Sequence, residues 1–162
     1  MSFIGEFQRE SKRQSNRGRC LHHSSGVRCN EIISAHSIQN KGQLHLIAEE
    51  GHVYRLNADL STLNKTNGLA EPKKIGIKQA STFAGFCKHH DNALFEPIDN
   101  QPLSRNKKQV ALYAYRCICR ELFVKENAAT VMEKMKSYPD LSTDQASMLN
   151  ALHIGHSIGL AG

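Results

Sequence analysis

A cysteine and a histidine stand with two residues between them, Cys87 and His90, in the run Phe86-Cys87-Lys88-His89-His90-Asp91-Asn92. That spacing lets a turn and the first turn of a helix aim both side chains at one point. Far upstream lies a second pair, Cys20 and Cys29, with eight residues between its members. Thiolate sulfur and imidazole nitrogen are preferred ligands of zinc, and four of them close a tetrahedral structural site. A structural zinc held by Cys20, Cys29, Cys87 and His90 would pin two distant segments together, which restricts the fold more than any other feature. Competing donors exist. His23 follows Cys20 at the same short spacing, His36 lies just beyond Cys29, and His89 adjoins His90. Three cysteines with His90 are preferred, because thiolates bind zinc strongly and both pairs then sit on turn-like segments.

The other cysteines fit a reduced protein. There are five in all, an odd number that suits ligands plus spectators better than a disulfide framework. No apolar run approaches the length of a membrane span, and the N-terminus lacks the apolar core of a signal peptide, so the expected location is the cytoplasm, with no membrane partner. Cys117 and Cys119 lie in an apolar helical stretch and are expected to be core thiols. The 21 Lys and Arg against 15 Asp and Glu give a formal charge of +6, which suits an anionic partner such as nucleic acid. Trp is absent and aromatic residues are sparse, which argues against broad stacking surfaces for single strands.

Along the chain, residues 1–19 are polar and basic and read as a short helix or arm, either solvated or in contact with phosphates. Residues 20–100 read as the zinc-binding module. Within it, Cys20 and Cys29 flank a turn at Ser24-Ser25-Gly26, and Glu31 to Ser37 forms a strand or turn edge carrying His36. Leu44–Ile47 and His52–Leu56 flank Glu49-Glu50-Gly51, the pattern of a hairpin. Residues 57–79, rich in Asn, Thr, Lys and Gly, are expected to form a long loop or insertion. A short helix should start near Asp91 and end before Pro97. Residues 105–162 read as helical and as continuing into a longer protein. Gln109 to Cys119 is apolar on nearly all sides and expected to be buried, its helix running to about Lys136. Ser142 with Gln145 forms a capping box for a last helix, Asp144 to Leu160. In that helix Gly155 and Gly159 are placed for close approach of another backbone. His153 and His156 share a face there without a neighbouring acid.

A cysteine pair, a hairpin with a histidine, and a second pair at a helix start resemble the layout of a treble-clef zinc finger. With Ser34-Ala35-His36-Ser37-Ile38 in the first strand region, residues 20–96 resemble the HNH (ββα-metal) endonucleases. The run from Ala80-Ser81-Thr82-Phe83 to His90-Asp91 is also similar to bacterial zinc-binding proteins, some associated with phage defence. The nuclease resemblance implies His36 as general base on the attacking water, with Asp91 and Asn92 near the positions of the metal ligand and the orienting polar residue. Mg²⁺ or Mn²⁺ would be the catalytic ion, since such ions take oxygen ligands. The sequence departs from those enzymes in two places. Ala35 stands where an acid or histidine usually precedes the base, and the stretch from His36 to Cys87 is longer than a compact ββα core needs.

The fold class expected is α+β, a treble-clef-like zinc-bound β-hairpin module followed by a helical C-terminal part. The function expected is a zinc-binding, nucleic-acid-associated module. The alternatives are an active metal-dependent endonuclease and a non-catalytic zinc module that binds protein or nucleotide.

Overall fold

Thr82–Cys87 (Thr-Phe-Ala-Gly-Phe-Cys) mixes a β-branched residue with aromatics, a composition suited to a pleated surface that is half covered. In the computed structural model, which describes residues 2–22, 29, 31–104 and 106–160, this stretch is a strand and the site is built around it. The elements in chain order are α1 (Phe3–Asn16), β1 (Ile32–His36), a π-helical turn (Asn40–Leu44), β2 (His52–Asn57), α2 (Leu60–Lys65), β3 (Glu71–Gly76), β4 (Thr82–Cys87), α3 (Lys88–Asp99), α4 (Lys107–Met135) and α5 (Thr143–Ile158). They make a mixed α+β chain with two small antiparallel sheets and a helical C-terminal part. Two compact units result: Gly18–Ile118, and Met1–Arg17 together with Cys119–Gly162.

In the first unit β1 pairs with β4, Ile32 opposite Cys87 and His36 opposite Thr82, with the register shifting between Ile33 and Ala35. Residues 19–21 run along the same strand, the amides of Arg19 and Leu21 donating to the carbonyls of Ala84 and Gly85 at 3.0 and 2.9 Å. Gly18 makes that approach possible, because any side chain there would collide with Ile32. Beneath the sheet lies an aromatic core. Phe86 and Phe95 are fully buried with ring centroids 5.0 Å apart, and Phe83 stacks edge-on against Phe86 at 5.6 Å. The segment between β1 and β4 has a small core of its own, Leu44, Val53, Ile77 and Ala80. β2 and β3 form a ribbon paired from His52–Gly76 to Asn57–Glu71.

The second unit joins the two ends of the chain. Val131, Met132, Met135 and Leu149 are buried, with Phe3, Phe7, Tyr138 and Leu141 packed against them. The capping box expected at Ser142 and Gln145 is present.

Several sequence expectations are corrected. Leu44–Ile47 is no strand: Leu44 turns into its core while Leu46 is 85% and Ile47 71% exposed, and the ladder partner of β2 is β3. Part of the supposed loop 57–79 is regular, α2 and β3. Its Pro72 is tolerated because each strand of a two-stranded ribbon is an edge. α3 starts at Lys88, since Cys87 caps it, and Pro97 lies inside its last turn without ending it. α4 is not buried on all sides; Val110 is 57% and Ile118 66% exposed, and Cys117 is exposed while Cys119 is buried. No backbone approaches Gly155 among the described residues, and Gly159 meets only the Lys125 side chain. His153 does have an acid nearby, Glu133 at 3.5 Å. The basic N-terminal segment is a helix whose Arg9 and Arg13 are engaged by Glu6 and Glu10. The turn Ser24-Ser25-Gly26 and His23 lie outside the described residues.

Candidate metal centre

The strand–helix junction after β4 supplies half of the centre. Cys87 is both the last residue of β4 and the N-cap of α3, its backbone still extended and its sulfur 3.4 Å from the amide of His90. Ser, Thr, Asp or Asn usually fill that position; here the thiol does. One turn of helix brings the His90 imidazole back over the same sulfur, Nδ1 to Sγ 3.3 Å. Cys20 arrives on the segment running beside β4, and Cys29 completes the group. Each sulfur lies 3.3 Å from His90 Nδ1.

All four ligand atoms fall within 4.8 Å of one another. A tetrahedral zinc with Zn–S about 2.3 Å and Zn–N about 2.0 Å sets S and N about 3.5 Å apart. The spacing found is close to that, and three thiols with one imidazole form a donor set of zinc type that leaves no position open. Cys20, Cys87 and His90 are buried and Cys29 is half-buried. The electrostatics point the same way. Burial and the neighbouring Cys20 and Cys87 push the Cys29 thiol up to about 11. Burial opposes ionisation of Cys87 too, yet the amides of His90 and His89 and the adjoining thiols bring it below its ordinary value. Crowded sulfurs that cannot all ionise alone are stabilised together by a dication, which deprotonates its ligands on binding. His22 lies against the group, its ring 5.0 Å from that of His90 and its Nδ1 3.1 Å from the Tyr115 hydroxyl.

The three polar residues read as catalytic go to different places. His36, half-buried at the end of β1, has Nδ1 3.1 Å from the Ala80 carbonyl. Asp91 is buried and turned toward Arg116, one carboxylate oxygen 3.6 Å from the guanidinium. Burial raises the Asp91 carboxyl above its ordinary value, Arg116 opposing and Asp99 reinforcing the rise. Asn92 is exposed on α3 and lines an open depression of about 510 Å³ with Glu31, Lys88, His89 and Ala93. Among the described residues no hydrogen bond or ion pair joins His36 to Asp91 or Asn92.

Sequence reasoning missed what braces the helix carrying His90. Arg116 on α4 is 1% exposed and grips Asp99 at the end of α3 through two bonds of 2.7 Å. Its guanidinium lies 3.9 Å over the Phe95 ring. Gln109, also buried, uses its whole amide: the oxygen accepts from the Ser104 amide and hydroxyl, and the nitrogen donates to the carbonyls of Pro97 and Pro102. The available signal was the pair itself, polar residues at 109 and 116 within an otherwise apolar helical stretch.

No protein-family model, no curated protein and no solved structure matches the chain. The likeness to HNH enzymes and to defence-associated zinc proteins therefore rests on the quoted residues alone. No helix among the described residues is long and apolar enough to cross a membrane.

Proposed function

We propose that the chain is a zinc-stabilised module of treble-clef type that associates with nucleic acid. The observation that carries the reading is the cluster of Cys20, Cys29, Cys87 and His90, with Cys20 on the segment beside β4 and Cys87 and His90 at the β4–α3 junction. Ligands in that order around a β pair and a helix are how treble-clef fingers hold zinc, and the ion there supplies folding energy. The polyanion part is supported by the +6 charge and by Arg55 and Lys73 of the β2–β3 ribbon, which make no ion pair among the described residues. Zinc measured at about one per purified chain, together with nucleic-acid binding that weakens with salt, is the expected result. Zinc well below one equivalent, or no binding to any nucleic acid at low salt, overturns it.

A second reading, an HNH-type endonuclease, is favoured by one observation. A carbonyl can only accept, so the contact with Ala80 assigns the proton of a neutral His36 to Nδ1 and leaves Nε2 as the acceptor. In that tautomer Nε2 can take a proton from a water attacking phosphorus, a role that contributes about 10²–10⁴-fold. A divalent ion such as Mg²⁺ would supply charge stabilisation on the phosphate. Asp91 is drawn toward Arg116, so His36 carries this reading. His36→Ala should abolish divalent-dependent cleavage while zinc stays bound; absence of cleavage by the wild type on any nucleic acid, or zinc lost with His36, rejects it.

A further inference from the structure

The β2–β3 ribbon projects past its own core. At its base Val53 is buried and Ile75, opposite, packs against the same small cluster. Two residues further along that face, Arg55 stands directly opposite Lys73. Like charges facing each other across a ladder destabilise a sheet. Both side chains are exposed, and neither makes an ion pair among the described residues. Glu71, the acid on that face, is exposed and pairs with neither. The opposite face carries Lys74 across from Tyr54, then Leu56 across from Pro72, with Tyr54 64% and Leu56 69% exposed. Lys74 has one acidic neighbour among the described residues, Glu50, at 3.6 Å on the surface. Lys65 and Lys78, in the same segment, have none among the described residues. The ribbon thus keeps cations on both faces at one level along its length, a repulsive like-charge pair on one face and on the other Lys74, with its surface neighbour Glu50.

We infer that this ribbon docks into the major groove of double-stranded DNA, Arg55 and Lys73 facing one phosphate wall and Lys74 the other. The inference rests on the nucleic-acid reading above and adds to it a surface and a substrate class. Dimensions decide between substrates. Stacked sheets lie about 10 Å apart, so a ribbon with side chains on both faces is about 10 Å thick. The B-DNA major groove is about 12 Å wide and admits a two-stranded ribbon. The major groove of A-form RNA is too narrow for side chains to read, and a single strand offers no second wall.

The test uses the full zinc-loaded chain and a labelled duplex of about 20 base pairs, with affinity followed by fluorescence anisotropy from about 50 to 200 mM salt. Each phosphate contact contributes about 0.9 to the slope of log affinity against log salt. Arg55→Gln, Lys73→Gln and Lys74→Gln together should make that slope shallower by roughly three, with zinc content and circular dichroism unchanged. The charge-keeping set Arg55→Lys, Lys73→Arg and Lys74→Arg should retain the wild-type slope. Wild-type affinity and slope in the neutralised variant overturn the ribbon assignment and leave the nucleic-acid reading standing. Equal or tighter binding to duplex RNA or single strands overturns the groove. A wild type that binds no nucleic acid at low salt removes both readings.

Discussion

At the scale of single residues, Cys87 ends β4, caps α3 and contributes its sulfur to the Cys3His cluster. Serine separates these roles, because a hydroxyl caps a helix well but is no substitute for a zinc thiolate. Cys87→Ser should therefore lose zinc, seen by metal analysis, and lose more stability in urea than the ~1 kcal/mol that a missing cap costs. Retention of one zinc per chain would rule Cys87 out as a ligand. Arg116 is the second position where one side chain decides much. Its removal leaves the buried Asp91 and the half-buried Asp99 without their cation; breaking a fully buried pair costs about 3–5 kcal/mol, and the exposure of Asp99 puts this one at the low end of that range. Arg116→Ala should show a loss of that order, and Arg116→Lys should recover little of it, since an ammonium cannot make both bonds to Asp99. A lysine variant of wild-type stability would refute the bidentate argument. The Cys3His cluster is legible in the sequence because zinc chemistry restricts residue type and spacing together. For Arg116 the sequence shows only a polar residue in an apolar stretch; its partners lie on another element and are not written there.

Among elements, α1 shows how composition misleads. Its basic residues suggest a helix or arm that is solvated or touches phosphates, yet Phe3, Phe7, Glu10 and Gln14 recur at helical spacing, and that face packs into the second unit. Burial alone would raise the Glu10 carboxyl, but hydrogen bonds from Arg13, Gln14 and Lys134 outweigh it and bring it from 4.5 to about 2. A carboxyl lowered on folding adds stability that is fully present above about 4.5 and is lost as the pH falls toward 2. Denaturant midpoints should therefore drop across that interval, and Glu10→Gln should flatten the drop; an unchanged profile in the variant would assign acid sensitivity elsewhere. Strand pairing was the least legible feature. β2 is clear from its alternation, but its partner is not the nearer apolar run. That partner, β3, carries Pro72 and two lysines, residues that ordinarily speak against a strand. Local pattern identifies the strand, and only the long-range ladder identifies its mate. α5 is the opposite case, for its cap is written in Ser142 and Gln145 and needs no tertiary contact.

For the whole molecule, each compact unit has its own means of cohesion, a Cys3His cluster and an aromatic core in one, an apolar cluster with the buried Glu10 network in the other. Chelation should accordingly raise amide hydrogen exchange across β1, β4 and the first turns of α3 while residues 131–149 stay protected. Uniform loss of protection along the chain would mean that the metal holds both units. The α+β class is visible in the sequence, whereas the division is not, since the boundary at Ile118 and Cys119 falls within α4, where no glycine, proline or polar run marks a break. The same division bears on the order of synthesis. Glu10 of α1 meets Lys134, a residue made 124 positions later. At about 5–20 residues per second, α1 waits roughly 6–25 s outside the ribosome with Phe3 and Phe7 uncovered. All four residues of the Cys3His cluster have emerged well before then. Of these two partners α1 is made first, yet it is seated only once the end of α4 exists.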